Sequence, residues 1–199
     1  MVVILGIDVG TVNLGWAVVK HGKFYAAGVA KLQKKVPLKT EIRRFASALK
    51  LKYGPFTIVA IEKQMRARMR VAETHLANEF GTVAKIVTPQ SVKRYFGYSG
   101  LTKYKDRKIM GTRIFQNLCR ECNQLQWLSG LIKKANKAKL DDVADAGLIA
   151  YMQYSEYKGV KKKKKKEDDN VINKWFSSNV WCCEASQLSH LPKGASHKK

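Results

Sequence analysis

"VVILGIDVGTVNLGWAVV", residues 2–19, decides the fold of this chain. Apolar runs that end at glycines are typical of buried strands, so the stretch predicts two strands joined by a turn through Gly-Thr-Val-Asn. A single carboxylate, Asp8, stands near the end of the first run. Because burying an unpaired charge is costly, Asp8 needs a partner that the rest of the chain must supply.

The predicted elements begin with hairpins and continue as an alternation of strands and helices. Such an order implies an α/β fold in which helices cover a mixed sheet. The predicted strands cover residues 2–9, 14–20, 23–31, 56–62 and 84–88, and the predicted helices cover residues 39–52, about 67–80, 107–118 and 141–157, with one more helix beginning at Thr88 and Pro89 and a loop over residues 97–106.

The charge balance points to a polyanionic partner. Lys and Arg number 38 against 15 Asp and Glu, which gives a formal net charge of +23. This excess favours nucleic acid over a membrane surface as the partner, and a device for solubility is the alternative. The sequence contains neither an apolar run of about 18 residues nor a signal peptide. We therefore expect an intracellular protein without a membrane partner.

The composition changes near residue 158. Residues 1–158 are expected to form one domain, and residues 159–199 a basic, partly disordered tail that begins with GVKKKKKKEDDN. Four cysteines are expected to be reduced thiols in such a protein. A C-x-x-C pair is half of a typical zinc site, but the other two cysteines are adjacent, which argues against zinc. The cysteines are Cys119, Cys122, Cys182 and Cys183.

Acids are scarce in this chain, and several fall where burial is expected. Asp8 lies in the first strand, Glu62 ends the fourth, and Asp141, Asp142 and Asp145 begin the last helix. Asp142 and Asp145 share a helical face, whereas Asp141 suits the N-cap of that helix. Each acid alone is compatible with a structural role. Together they form the oxygen donor set that hard cations such as Mg²⁺ prefer.

Three motifs resemble the acidic motifs of the RuvC-type Holliday-junction resolvases: GIDVGTVNLGWAV, IVAIEKQ and LDDVADAGLIAY. They are especially similar to the branch found in poxviruses, related large DNA viruses and fungal mitochondria. The resemblance covers about residues 2–157 and implies an RNase H-like fold with a five-stranded mixed sheet flanked by helices. It also implies a homodimeric endodeoxyribonuclease that makes paired symmetric nicks in four-way DNA junctions, during recombination or the processing of replication intermediates.

The resemblance also assigns roles to single residues. Asp8, Glu62, Asp142 and Asp145 match the catalytic acids that hold two Mg²⁺ ions, with Mn²⁺ as a substitute. Hydrolysis with such ions is expected to leave a 5′-phosphate. Lys103 best resembles the basic residue beside the scissile phosphate, with Lys105 as the alternative.

Further residues are expected to touch the DNA or the second subunit. Met65 stands at the position of the aromatic wedge of bacterial members, and the region around residues 67–81 is a candidate dimer interface. The glycines at positions 6, 10 and 15 are expected to let DNA approach the first hairpin. The expected DNA contacts are Arg66, Arg68, Arg70, Lys93, Arg94, Lys103, Lys105 and Arg107.

Three other functions use the same features. Another RNase H-like nuclease, such as an RNase H or a transposase, would employ the same acids on another substrate. GIDVGTVNLG also resembles the phosphate loop of actin-like sugar kinases and ATPases. A non-enzymatic nucleic-acid-binding protein would need the charge but not the acids. The compartment stays open between a viral factory in the host cytoplasm, the nucleus and an organelle.

Overall fold

The structure, a computed structural model, describes residues 1–135 and 140–159. The predicted tail beyond residue 159, with Cys182 and Cys183, lies outside the described residues. A short 3₁₀ turn at Gly81–Val83 precedes the last strand. The strands are β1 (Val3–Val9), β2 (Asn13–Lys20), β3 (Lys23–Lys31), β4 (Ile58–Glu62) and β5 (Ala84–Val87), and the helices are α1 (Leu38–Tyr53), α2 (Ala67–Phe80), α3 (Pro89–Phe96), α4 (Tyr104–Glu121), α5 (Leu125–Ala135) and α6 (Leu140–Tyr157).

The strands form one mixed sheet in the order β3-β2-β1-β4-β5. β1 and β2 pair antiparallel, as do β2 and β3, whereas β4 runs parallel to β1 and β5 runs parallel to β4. Tight turns suffice for the antiparallel pairs, and the parallel pairs need the crossover helices α1 and α2. The prediction of a five-stranded mixed sheet flanked by helices is confirmed.

Alternation of side chains along β1 assigns its residues to the two faces of the sheet. Leu5 and Ile7 belong to the core under α1 and α2, and Ile4 belongs to the core under α3, α4, α5 and α6. Asp8 has the same parity as Ile4 and therefore lies on the α6 face. The alternation of core residues along β1 therefore places the Asp8 carboxylate on the face of the sheet that α6 covers.

Two glycines bring α6 directly against the sheet. A Cβ atom on Gly6 would lie 2.2 Å from the carbonyl oxygen of Ala146, and one on Gly15 would lie 2.3 Å from the carbonyl oxygen of Asp142. No side chain fits at either place. The expectation that these glycines admit DNA is wrong, because the backbone of α6 fills the space beside them.

The third glycine of the hairpin closes the turn. A Cβ atom on Gly10 would lie 2.4 Å from the carbonyl oxygen of Asn13. That oxygen accepts the hydrogen bond of the Gly10 N–H at 2.9 Å. Gly10 therefore serves the tight geometry of the β1–β2 turn.

The helical layer differs from prediction in two places. α4 begins at Tyr104 rather than at residue 107, and α5 occupies a segment for which no element was predicted. Trp127, Leu128, Leu131 and Ile132 recur there with helical spacing, and all four pack in the core under α6. That spacing is the signal that would have predicted α5.

Gln124, the residue before α5, forms hydrogen bonds with the edge strand of the sheet. The side-chain amide of Gln124 donates to the carbonyl of Phe24 at 2.6 Å and accepts from the Phe24 N–H at 2.8 Å. Phe24 lies in β3, the outermost strand. The amide thus pairs backbone groups that an edge strand leaves open.

Both described cysteines are free thiols. Cys119 is buried, and burial raises the pKa of its thiol to about 12. The Sγ of Cys122 donates to the carbonyl of Gly22 at 3.4 Å.

Among the helices in the described part of the chain, none combines the length and apolar character needed to cross a membrane.

Gly15→Ala should destabilise the fold, because the added Cβ forces α6 away from β2. Overpacking of this kind costs about 1–3 kcal/mol, occasionally more, and a urea titration measures it as a lower free energy of unfolding. Gly100→Ala is the matched control, since nothing lies within 4 Å of a Cβ at that position. Equal unfolding free energies for Gly15→Ala and the unmodified chain would contradict the close contact with α6.

Candidate functional site

Parallel pairing of β1 with β4 brings Asp8 beside Glu62. Ile7 is in register with Ile61, so the next residues on the two strands are neighbours at about 4.8 Å, the spacing between strands. Both side chains lie on the face that α6 covers. The two carboxyl groups interact, and the proximity of Glu62 contributes to a raised pKa of Asp8.

The first turns of α6 bring two more acids to the same place. Gly15, the cross-strand partner of Asp8, touches the backbone of Asp142, and Asp145 lies one turn further along the helix. Asp8, Glu62, Asp142 and Asp145 all line one cleft of about 440 Å³. The structure therefore brings together all four acids that the sequence singled out.

Burial and like charge favour protons in this cluster. Desolvation, followed by repulsion from Glu62 and Asp145, raises the pKa of Asp8 well above its usual value. Desolvation also raises the pKa of Asp145 to about 6, although the nearby ammonium of Lys108 lowers it. A bound cation would relieve this repulsion, so the cluster favours positive charge.

One lysine supplies part of that positive charge. The Nζ of Lys108 lies 2.6 Å from Oδ2 of Asp145 and 3.2 Å from Oδ2 of Asp141. Burial alone would lower the pKa of Lys108, but Asp145, Asp8 and Asp141 outweigh it and raise the pKa. Asp141 is the second residue of α6 rather than its N-cap, and its carboxylate pairs with Lys108.

The lysine at the acids is therefore not the one that the resemblance selected. Lys103 is the exposed N-cap residue of α4 and is absent from the cleft lining, as is Lys105. Tyr104, Arg107 and Lys108 line the cleft with the helical spacing of three and four residues. The predicted helix over residues 107–118 already contained Lys108, but helical spacing alone does not indicate which face of the helix meets the acids.

A buried glutamine orients Glu62. The Nε2 of Gln64 donates to Oε2 of Glu62 at 2.9 Å, and the backbone N–H of Gln64 donates to Oε2 of Glu73 at 2.6 Å. Gln64 is only 6% exposed. No sequence pattern indicates this role, because it depends on where α2 places Glu73.

Tyr98 is a further cleft residue that sequence reasoning missed. It lies between α3 and α4 and is buried. Desolvation, followed by repulsion from Asp145 and Glu62, raises the pKa of its hydroxyl. The hydroxyl therefore stays protonated and can donate a hydrogen bond into the cleft.

The predicted DNA contacts are divided between the cleft and its surroundings. The candidate wedge, Met65, lines the cleft with 82% of its surface exposed. Among the cations, Arg66, Lys93 and Arg107 line the cleft, Arg68 lines an adjoining pocket, and Arg70, Arg94, Lys103 and Lys105 are exposed outside both.

The donor set suits a hard divalent cation. Carboxylate oxygens are the ligands that Mg²⁺ and Mn²⁺ prefer, and within residues 1–135 and 140–159 no basic side chain lies within ion-pair distance of Asp8. In that same part of the chain, no three His, Cys, Asp or Glu side chains already converge on one point as a metal site. Repulsion between uncompensated carboxylates favours such an open arrangement.

The sheet order, with acids at the ends of β1 and β4 and on the last helix, is that of the RNase H-like class of proteins. The family described as Poxvirus A22 protein matches residues 2–157. The chain belongs to this family, the poxvirus branch of the RuvC-type Holliday-junction resolvases. The resemblance of the three acidic motifs is thereby confirmed. Membership in a family of endonucleases excludes the sugar-kinase and non-enzymatic alternatives.

Two solved structures show the same fold. The complex of fowlpox virus resolvase with substrate Holliday junction DNA matches with a TM-score of 0.58 and 20% identity, over 78% of this chain and 97% of that chain. Thermus thermophilus RuvC with a Holliday junction substrate matches with a TM-score of 0.56 and 21% identity, over 80% and 97%. The yeast mitochondrial Holliday junction resolvase Ydc2 gives a TM-score of 0.47 at 18% identity, over 78% and 83%. A comparison with the curated proteins finds no match.

Asp8→Asn should stabilise the metal-free protein at neutral pH. The raised pKa of Asp8 and the pKa of about 6 for Asp145 mean that the folded state binds these protons more tightly than the unfolded chain, whose Asp pKa is about 3.9. The contribution of these groups to stability is therefore lost as the pH rises from about 4 through the folded-state values.

Thermal unfolding in a chelator checks this expectation. The midpoint temperature of Asp8→Asn should exceed that of the unmodified chain at neutral pH, and the difference should vanish near pH 4, close to the unfolded pKa. Glu121→Gln, a change of an exposed acid on α4 away from the cleft, is the control and should show no such gain. A lower midpoint temperature for Asp8→Asn at neutral pH would contradict the inference that burial and repulsion of these carboxylates destabilise the folded protein.

Proposed function

We propose that this chain resolves four-way DNA junctions by divalent-metal-dependent hydrolysis of phosphodiester bonds. One observation carries the proposal: four carboxylates from two strands and a helix line a single cleft in a chain of net charge +23. The positive surface attracts the polyanion, and the acids bind cations where the phosphate must react. The fowlpox and Thermus structures that share this fold contain Holliday junction DNA, which supports the choice of substrate.

Asp8, Glu62, Asp142 and Asp145 are the proposed ligands of two Mg²⁺ ions, for which Mn²⁺ can substitute. When bound, such ions supply an activated water and stabilise the leaving oxygen, so that the product carries a 5′-phosphate. Asp8 is the central ligand of this proposal, because its carboxyl group interacts with those of both Glu62 and Asp145. Its raised pKa means that metal binding must displace a proton at neutral pH.

Neighbouring side chains position the proposed ligands. Gln64 fixes the carboxylate of Glu62 through its 2.9 Å hydrogen bond. Lys108 holds Asp145 and remains charged, so it can also stabilise negative charge on the phosphate. Lys103, the lysine that the resemblance selects for that task, stays a candidate at the start of α4.

The cations around the cleft are the proposed contacts of the DNA backbone. Arg66, Lys93 and Arg107 would flank the reacting phosphate. Met65, highly exposed at the same cleft, is the candidate wedge at the branch point. The more distant proposed contacts are Arg68, Arg70, Arg94, Lys103 and Lys105.

Two nicks of matched geometry call for two active sites, and a homodimer supplies them by symmetry. The proposed interface is the region around residues 67–81, where Val71 on α2 is 49% exposed. Membership in a poxvirus family supports an intracellular role in DNA processing. We propose the site of viral DNA replication and recombination, with the viral factory in the host cytoplasm as the leading compartment.

Asp8→Asn should abolish nicking of a four-way junction in Mg²⁺ and leave junction binding intact or tighter. Loss of a metal ligand removes several kcal/mol of transition-state stabilisation, which lowers the rate at least roughly a hundredfold. Gel assays on a four-way junction, a matched duplex and an RNA–DNA hybrid measure rate and selectivity. The unmodified chain should cut the junction at opposed positions and spare the other two substrates.

Glu121→Gln is the matched control, because Glu121 is an exposed acid away from the cleft, and it should cut at the normal rate. Undiminished cutting by Asp8→Asn would refute the assignment of the site. Preferential cutting of the hybrid would instead indicate another RNase H-like nuclease.

Lys108→Gln and Lys103→Gln decide which lysine acts at the phosphate. We expect Lys108→Gln to reduce the nicking rate at saturating junction by roughly a hundredfold, because Lys108 contacts Asp145 directly. Lys103→Gln should mainly weaken binding, and Lys108→Arg should restore part of the rate. A large rate loss in Lys103→Gln alone would return the role to Lys103.

A further inference from the structure

A second pocket adjoins the cleft on the far side of the β1–β2 turn. Its volume is about 440 Å³, and it shares Gly10 and Met69 with the cleft. A third depression of about 500 Å³ lies beyond it. The second and third depressions have in common Val12, Leu32, Gln33 and Lys34. The three depressions therefore adjoin one another in order, on a path from the acids to the loop between β3 and α1.

Three lysines line the outer end of this path. Lys31 ends β3, and Lys34 and Lys35 follow in the loop before α1. All three are exposed. Within the described ranges of the chain, no carboxylate lies within 4 Å of their ammonium groups. We call Lys31, Lys34 and Lys35 the basic rim.

Hydrogen bonds fix the loop of the basic rim to the turn beside the acids. The N–H of Leu32 donates to the carbonyl of Val12 at 2.7 Å. The N–H of Gln33 donates to Oε2 of Glu41 at 3.1 Å, and Glu41 is only 8% exposed. Val12 follows Asp8 by four residues and so lies within about 14 Å of it along the chain. The rim is thus held near the acids.

We propose that the basic rim binds the phosphate backbone of a DNA duplex arm as that arm leaves the cleft. The inference rests on the proposed junction-cutting function and names a further contact surface for the same substrate. Lysines bind phosphates as point charges, so the rim positions the arm without reading its sequence.

The test compares two triple variants that lose the same charge. One is Lys31→Gln/Lys34→Gln/Lys35→Gln. The control is Lys20→Gln/Lys23→Gln/Lys158→Gln, because Lys20 and Lys23 flank the turn at the opposite end of the sheet and Lys158 follows the distal end of α6. Binding of a fluorescent four-way junction in a chelator is measured over a salt series, and thermal unfolding verifies the fold of each variant.

The rim variant should bind the junction about tenfold more weakly, and the salt dependence of log K should flatten by about 0.9 for each lost contact. The control should change far less in both respects. Equal affinity and slope for the two variants would overturn the inference.

Neutral methylphosphonate linkages locate the contact. Placed in the duplex arm next to the nick, they should weaken binding of the unmodified chain but not of the rim variant, a coupling that a double-mutant cycle isolates. Equal weakening of both proteins would overturn the proposed location. Failure of the unmodified chain to nick the junction in Mg²⁺ would refute the proposed function instead, and that failure is separate because binding is measured without metal.

Discussion

The close contact of α6 with the glycines of β1 and β2 is the constraint on which the site depends. Gly6 touches the backbone of Ala146 and Gly15 touches that of Asp142, so the helix can take only one height and register on the sheet. Asp142 and Asp145 are thereby held opposite the ends of β1 and β4. α4 also packs against this helix, where a Cβ on Gly111 would be in ordinary contact with the Asp145 carboxylate at 3.4 Å. This packing brings Lys108 within reach of the same acid.

The cleft concentrates negative charge in a chain whose net charge is positive. A chain of net charge +23 places its clustered acids in one cleft, where burial and repulsion raise the pKa of Asp8. DNA is drawn to the surface by the surrounding cations, but its phosphates would be repelled by ionised acids at the centre. Lys108 compensates only part of that charge. Bound divalent ions would compensate the rest and attract the phosphate, so metal binding and DNA binding favour each other.

The strands and the four acids were predictable because they depend on local periodicity. Asp8 and Glu62 each lie at the end of an apolar run, and the strand period of two predicts the face of the sheet on which their side chains lie. The helical period predicts that Asp142 and Asp145 share one face of α6. Lys108 was missed because only the packing of α4 against α6 decides which face of the predicted helix meets the acids. Gln64 could not be found, because its role requires the contact with Glu73 on α2. The glycines were misassigned because a sequence shows a missing side chain but not the backbone that fills the space.

The linker between β4 and α2 joins the acids to the surface that faces the DNA. The N–H of Lys63 donates to the carbonyl of Val87 at 2.8 Å, and Gln64 is anchored to Glu62 and Glu73. The next two residues, Met65 and Arg66, are exposed at the mouth of the cleft. The residues proposed to contact DNA therefore directly follow, along the chain, the segment that orients a proposed metal ligand. Only Met65 separates Gln64 from Arg66, so the exposed side chains at the mouth of the cleft and the hydrogen bonds that hold the Glu62 carboxylate belong to one short segment.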